Sequence, residues 1–355
     1  MKPLIAPAAT SRRSLSATKV TLAHGGGGRA MRDLIDDVFV AAFANPDMGD
    51  MDDQARLDLA RFTAIGDRLA FTTDGFVVDP VEFPGGDVGK LAVYGTVNDL
   101  AVGGARPLHL SCAVIIEEGA DVALLRRLAA SMRAAADECG VTIVTGDTKV
   151  VGRGQADKVF ITTAGVGAIP AGRMLGTRRV CAGDAILVNG PIGDHGATIM
   201  AARGDMALEA DIRSDCRALT PLIEALLAAS PDTRFIRDAT RGGIASTLSE
   251  LAGEAGLGIR LEEKAIPVRE QVRGICEILG LDPLYLANEG TFIAAVPAEA
   301  AAAAVAALRA LPGGEGAAVI GRATAERPGG VVLDTVFGGS RIVDMLFGEQ
   351  LPRIC

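Results

Sequence analysis

Tryptophan is absent from this chain, and aromatic residues of all kinds make up only 4% of it. That disfavours a protein that grips single-stranded nucleic acid by stacking bases on rings. There is no long basic run and the net charge is −9, so nucleic acid and anionic membrane are poor direct partners. No window of about 18 uninterrupted apolar residues exists, so no membrane span is expected. The six cysteines (Cys112, Cys139, Cys181, Cys216, Cys276 and Cys355) include no pair at CxxC spacing, and the three histidines do not cluster near them. Neither a zinc site nor a disulfide framework is expected; reduced thiols in the cytoplasm are. No GxxxxGK(S/T) stretch exists, which excludes a P-loop, and no GxGxxG fingerprint is convincingly placed. Ser11-Arg12-Arg13-Ser14-Leu15 has the outline of a twin-arginine export signal, but Thr18-Lys19-Val20-Thr21 follows where an apolar stretch is required. Residues 1–18 therefore read as a disordered extension.

What is present is aliphatic. Hydrophobic residues make up 49% of the 355, and Ala, Val, Leu and Ile must build the cores, which fits stacked α/β layers in two domains. Short apolar strands alternate with helical segments. In the first half strands are expected at 20–23, 68–73, 108–116, 141–145 and 158–166, with helices at 29–44, 88–101 (Asp87 as N-cap) and 122–139. A Gly- and Arg-rich linker covers 170–183. The second half has strands at 185–189, 234–237, 258–261 and 291–296, then final strands between 317 and 337. Its helices are expected at 195–203, 216–228, 243–255, 270–279 and 298–311.

Four aspartates stand where strands or helices give way to loops beside glycine: Asp74 in Thr-Thr-Asp-Gly, Asp99 in Val-Asn-Asp-Leu, Asp147 in Gly-Asp-Thr-Lys and Asp238 in Asp-Ala-Thr-Arg-Gly-Gly. Each alone is equally a turn or cap residue. Together they form a candidate hard-cation site, because magnesium takes oxygen ligands and bridges carboxylates to substrate phosphates. The loop Gly25, Gly26, Gly27, Gly28 leaves a strand and opens a helix, so its N–H groups can face an anion. Lys149, two positions past Asp147, is placed to neutralise phosphoryl oxygens or is simply a solvated lysine. Glu289, in Ala-Asn-Glu-Gly before a buried strand, is a candidate base or ligand or an ordinary turn residue.

The chain stops at Gln350-Leu351-Pro352-Arg353-Ile354-Cys355. Pro352 cannot extend a helix and biases Leu351 toward extended geometry. Residues 348–355 thus read as a mobile arm carrying a thiol, reaching roughly 25 Å at about 3.3 Å per residue.

These motifs resemble those of the hydrogenase maturation carbamoyl dehydratase family (HypE), in the superfamily of aminoimidazole ribonucleotide synthetase and selenophosphate synthetase. The similarity runs from about Thr21 to Cys355. It is carried by Leu-Ala-His-Gly-Gly-Gly-Gly at 22–28, Phe-Pro-Gly-Gly-Asp-Val-Gly-Lys-Leu at 83–91, Asn-Asp-Leu-Ala-Val-Gly-Gly-Ala at 98–105 and Thr-Gly-Asp-Thr-Lys-Val-Val at 145–151. Asp-Ala-Thr-Arg-Gly-Gly at 238–243, Ala-Asn-Glu-Gly at 287–290 and the terminal Pro-Arg-Ile-Cys complete it. The aspartate motifs identify the superfamily and the cysteine tail selects the family. The extra residues 1–18 depart from the pattern without touching a motif.

The resemblance implies an α/β (α+β) protein of two-domain PurM-like fold: an ATP-binding and dimerising domain at 19–169, a second α/β domain at 170–347, and the tail. It implies ATP and Mg2+ as cofactors. Asp74, Asp99, Asp147 and Asp238 would hold the metal, and Gly25–Gly28, Lys90, Asn98, Asp99, Thr148 and Arg241 would bind the nucleotide. Lys149 and Glu289 would sit at the reacting group carried by Cys355. Implied partners are a second copy, a HypF-like carbamoyltransferase and a HypC–HypD-like iron scaffold.

In the implied reaction a carbamoyl group on Cys355 loses water to become a thiocyanate, ATP being cleaved to ADP and phosphate. Phosphorylating the amide oxygen turns a hopeless leaving group into a good one. A base then strips protons from nitrogen, and Glu289 is the candidate. Three rivals remain at this stage. Selenophosphate synthetase usually has a reactive Cys or selenocysteine near its glycine loop, and residues 1–30 here contain no cysteine. A small-metabolite phosphotransferase would ignore loss of Cys355. A non-catalytic thiol carrier would ignore loss of Asp99 or Asp147.

Overall fold

The computed structural model describes residues 15–48, 52–204, 211–346 and 348. Its N-terminal half opens with a 3-10 turn, Leu22–Gly25, followed by α1 (Arg29–Leu34), a π-helical turn (Ile35–Val40), α2 (Ala41–Phe43) and α3 (Leu59–Thr63). β1 (Arg68–Phe76), the small hairpin β2 (Glu82–Phe83) and β3 (Gly86–Asp87), α4 (Val88–Val102), β4 (Arg106–Glu117), α5 (Val122–Cys139), β5 (Thr142–Val151) and β6 (Val159–Ile169) complete it. The C-terminal half runs β7 (Ala185–Val188), α6 (Asp194–Ala202), α7 (Thr220–Ala229), β8 (Phe235–Asp238), α8 (Gly243–Ala255), β9 (Gly258–Glu262), α9 (Glu270–Leu279), β10 (Phe292–Val296), α10 (Ala301–Arg309), β11 (Ala318–Thr324), β12 (Val331–Asp334) and β13 (Ser340–Val343).

Local chemistry explains the best-formed elements. The Asp87 side chain accepts from Gly89 N at 2.8 Å and Lys90 N at 3.0 Å, capping α4 where the sequence places the cap. α5 buries Val122, Leu125, Leu128, Ala129, Met132 and Ala136, a stripe at helical spacing, and ends on Gly140 at φ +67°. β4, α5 and β5 form a parallel crossover unit.

The N-terminal sheet has the order β1-β6-β4-β5. Its inner face, with Leu110, Cys112, Val114, Ile116 and Ile161, is buried in one core with α4 and α5 residues. Its outer face leaves Leu69 60%, Phe71 75% and Ile115 38% exposed. The C-terminal sheet has seven strands, ordered β13-β12-β9-β11-β7-β10-β8, with only β9 and β12 parallel. α4 is buried along nearly its whole length between the halves, and its Ala101 and Val102 share a core with Leu219, Leu222 and Ile223. The expected two α/β layers are therefore joined through one central helix.

Several expectations are corrected. No strand forms at 20–23; Lys19 makes an isolated bridge to Asp121, and the Leu22–Gly25 turn follows because His24 Nδ1 accepts from Thr21 N at 3.0 Å. The helix expected at 29–44 is interrupted by its π turn. The helix expected from 216 begins at Thr220, with residues 215–217 outside any helix. Residues 15–18 of the expected extension are ordered, since Leu15 packs against the N-terminal core and Thr18 O accepts from Val122 N at 3.0 Å; the rest of it lies outside the described residues. Most consequentially, Asp74 and Asp147 do not end their strands but lie inside β1 and β5, and Asp99 lies inside α4.

Candidate active site

A small cleft between the halves is lined by Asp74, Gly75 and Phe76 of β1, Gly95 and Asp99 of α4, Asp238, Thr240 and Arg241 after β8, and Glu289 before β10. Side-chain alternation puts Thr72, Asp74 and Phe76 on the face of β1 that meets α4. Helical spacing then aligns Ala92, Gly95, Thr96 and Asp99 against that face. Gly95 is required there, since a Cβ would stand 2.8 Å from the Phe76 ring. The hydroxyls of Thr96 and Thr163 meet at 2.5 Å, Thr163 donates to Ala92 O at 2.8 Å, and Thr72 donates to Asp99 Oδ2 at 2.9 Å. Asp238 ends β8 in register with Phe292, which brings it beside the loop holding Glu289.

The cleft is short of positive charge. Four carboxylates share it with one guanidinium, that of Arg241, 3.7 Å from Asp74 Oδ1. Burial pushes the Asp99 carboxyl up, opposed by the Thr72 hydrogen bond and reinforced by Asp74. Burial, with Asp99 and Asp74 nearby, pushes Asp238 up to about 7. Glu289, 5% exposed, is driven well above the usual carboxylate range by burial, then by Asp215, Asp238 and Asp74. Such a set favours protons or a cation. Its donors are all oxygen, which suits magnesium. Among the described residues no three His, Cys, Asp or Glu side chains are placed to hold a metal on their own, so phosphate oxygens and water would have to complete the shell.

The other expected residues lie elsewhere. Asp147 and Lys149 project from the outer face of β5, both more than half exposed, and pair at 2.8 Å. The Lys149 hydrogen bond holds the Asp147 carboxyl below its ordinary value. The register row Gly75–Thr162–Ala113–Asp147 spans three inter-strand steps, so β1 and Asp147 are about 14 Å apart. Gly25 packs on the same strand, where a Cβ would meet Val150 at 2.8 Å, and Gly27 and Gly28 stay open beside it. One chain thus carries two separate groups: carboxylates beside β1, and the glycine loop with Asp147 and Lys149 beside β5. The expected four-aspartate cluster does not form within a chain, because β6 and β4 stand between.

Three expected nucleotide contacts are also displaced. Asn98 is 1% exposed and spends its amide on Arg217 O (3.0 Å), Glu289 O (3.4 Å) and Leu219 N (2.8 Å), joining the two halves. Thr148 is buried on the inner face of β5. Lys90 lies in the first turn of α4, nine residues and about 14 Å along the helix from Asp99. Cys355 lies outside the described residues; the five described cysteines are free thiols. Sequence reading missed Asp215, whose buried carboxylate holds the Glu289 loop; no turn or periodicity signal marks it.

The two α/β halves match the two domains of the AIR synthase-related proteins. The family model "AIR synthase related protein, N-terminal domain" matches residues 51–169 and "AIR synthase related protein, C-terminal domain" matches 182–334. Carbamoyl dehydratase HypE of Rhodobacter capsulatus is 63% identical over 342 residues, covering 96% of this chain and 100% of that protein. The crystal structure of hydrogenase maturation protein HypE in complex with ATP is similar at a TM-score of 0.89 and 50% identity, over 94% of this chain and 99% of that one. HypE in a HypE–HypF complex is similar at 0.76 and 40% identity, over 90% of this chain and 100% of that one. The chain belongs to the carbamoyl dehydratase HypE family.

Proposed function

We infer that this protein is the ATP-dependent carbamoyl dehydratase of [NiFe] hydrogenase maturation, acting on its own Cys355. The observation that carries this reading is identity to HypE proteins along nearly the whole chain, together with the acidic cleft between its halves. The S-carboxamide, S–C(=O)–NH2, becomes S–C≡N. Its oxygen leaves on the phosphate cut from ATP, and both nitrogen-bound hydrogens leave as protons. Lys149 supplies positive charge for the transferring phosphoryl group, and Glu289, a buried carboxyl raised well above its ordinary value by burial, takes a proton from nitrogen when ionised. Magnesium, held by Asp74, Asp99 and Asp238 with phosphate oxygens, would neutralise developing charge.

A second copy completes the site. The outer sheet face exposes Leu69, Phe71 and Ile115, an apolar surface suited to its twin. Face-to-face pairing of two such sheets brings the partner chain's glycine loop and its Asp147–Lys149 pair to the carboxylates of the first, so that all four aspartates serve one nucleotide. A HypF-like carbamoyltransferase loads Cys355, and a HypC–HypD-like iron scaffold receives the cyano group, all in the cytoplasm. A HypE relative occurs in complex with HypF, which supports the first partner.

The test is to carbamoylate the protein with a HypF-type partner, add ATP and magnesium, and weigh the C-terminal peptide. The expected result is loss of one water from the carbamoylated Cys355 peptide, dependent on ATP. Carbamoylation that persists unchanged would make the protein a carrier instead.

A further inference from the structure

Asp215 is 3% exposed, in the irregular segment between Ile212 and α7. Its carboxylate takes three donors from one short loop. Glu289 N lies 3.0 Å from Oδ1, while Gly290 N at 2.9 Å and the Thr291 hydroxyl at 3.0 Å share Oδ2. The backbones touch as well: a Cβ on Gly290 would stand 1.9 Å from Asp215 O. Asp215 O in turn accepts from Arg217 Nε at 3.0 Å. On the other side of the loop, Asn98 donates to Glu289 O at 3.4 Å. The peptide groups of Glu289 are therefore held at both ends by buried side chains.

Burying a carboxylate is costly unless hydrogen bonds compensate, and packing alone would be served better by an apolar side chain. Among the described residues, the hydrogen bonds this carboxylate accepts come from residues 289–291, and Asp215 is absent from the cleft lining. We propose that Asp215 is the positioning residue of the site, fixing the backbone of Glu289 so that its carboxylate is aimed into the cleft. It acts on the reacting atoms only through Glu289. This inference rests on the reading of Glu289 as the proton acceptor.

Asparagine at 215 offers one acceptor oxygen and an amide that opposes a backbone N–H, so at least one clamp contact is lost. The experiment uses the full chain, carbamoylated on Cys355, in single turnover with saturating ATP. Water loss from the C-terminal peptide and ATP affinity are measured for Asp215→Asn in the wild-type and Glu289→Gln backgrounds. Water loss is expected to slow by about 10- to 100-fold, with ATP affinity within about 3-fold of wild type. In the Glu289→Gln background the same change is expected to add nothing, the mark of two residues acting as a unit. An equal loss in both backgrounds, or a parallel loss of ATP affinity, overturns the proposal while leaving Glu289 as the acceptor. A Glu289→Gln protein at full rate overturns the reading of Glu289 and this proposal with it. Thr291→Val removes a single donor from the same carboxylate. Should Asp215→Asn not fold, the identical cycle with Thr291→Val decides, with a smaller loss of the same non-additive kind.

Discussion

At the scale of single residues, burial raises the carboxyls of Asp99, Asp238 and Glu289 above their ordinary values. The Asp238 carboxyl, raised by burial and by Asp99 and Asp74 to about 7, binds its proton more tightly in the folded chain than in the unfolded one. Stability from this group is therefore fully present below an unfolded pKa of about 4 and is lost as pH rises toward 7. Asp238→Asn, which cannot ionise, is expected to melt with wild type near pH 4 in nucleotide-free buffer with chelator. Its advantage should grow to several degrees by pH 7 and stay constant above. Thermal melts at stepped pH measure this; a gap independent of pH would contradict it. Lys149 answers to a different readout. Its ammonium is exposed and, among the described residues, paired only with Asp147, so Lys149→Met should leave folding intact. Loss of the charge is expected to slow water loss from carbamoylated Cys355 by about 100-fold or more, by analogy with removing one transition-state donor.

At the scale of elements, local signals were read well and non-local ones were not. The Asp87 cap, α5 and its Gly140 stop follow from rules that operate within one helical turn, and the sequence shows them plainly. The sequence pattern places Asp74 and Asp147 at strand ends because Asp-Gly and Gly-Asp pairs usually mark turns. Here the neighbouring glycines lie in strands, and Gly146 is pressed against its neighbour, where a Cβ would stand 2.2 Å from Cys112 O. The separation of Asp147 from Asp74 has no local signature at all. It depends on β6, last in the domain's sequence, pairing between β1 and β4, which no local pattern encodes. Asn98 and Asp99 show the same limit: one residue of rotation along α4 turns a cleft carboxylate into a clamp on the other half. The cap itself is testable. Asp87→Ala leaves Gly89 N and Lys90 N without their acceptor and is expected to destabilise the protein by about 1 kcal/mol. In calorimetry that is a fall in melting temperature of roughly 2–4 °C, with ATP affinity little changed because the cap lies a helix length from Asp99.

At the scale of the whole molecule, reading the groups on opposite edges of one sheet as halves of a shared site makes a quantitative prediction about mixtures. If each working site joins the Glu289 half of one chain to the Lys149 half of its twin, two differently damaged chains can repair one another. Glu289→Gln alone spoils both sites of its homodimer, as does Lys149→Met. In a heterodimer of the two, one site inherits both lesions and the other inherits none. Equal amounts, exchanged to random pairing, give about half heterodimers, each with one intact site of two, so about a quarter of wild-type water loss should return. Residues that met within one chain would give no recovery, because each chain would carry its own lesion into its own site. The control comes from the outer sheet face. Phe71, 75% exposed in one chain, becomes buried if the sheets pair, so Phe71→Asp should shift the protein to monomers in sedimentation analysis. Placed in either member of the mixture, it should also abolish the recovery. Dimers that persist in Phe71→Asp would move the interface elsewhere, and a mixture that stays inactive while dimers form would return Lys149 to a role outside the reacting site.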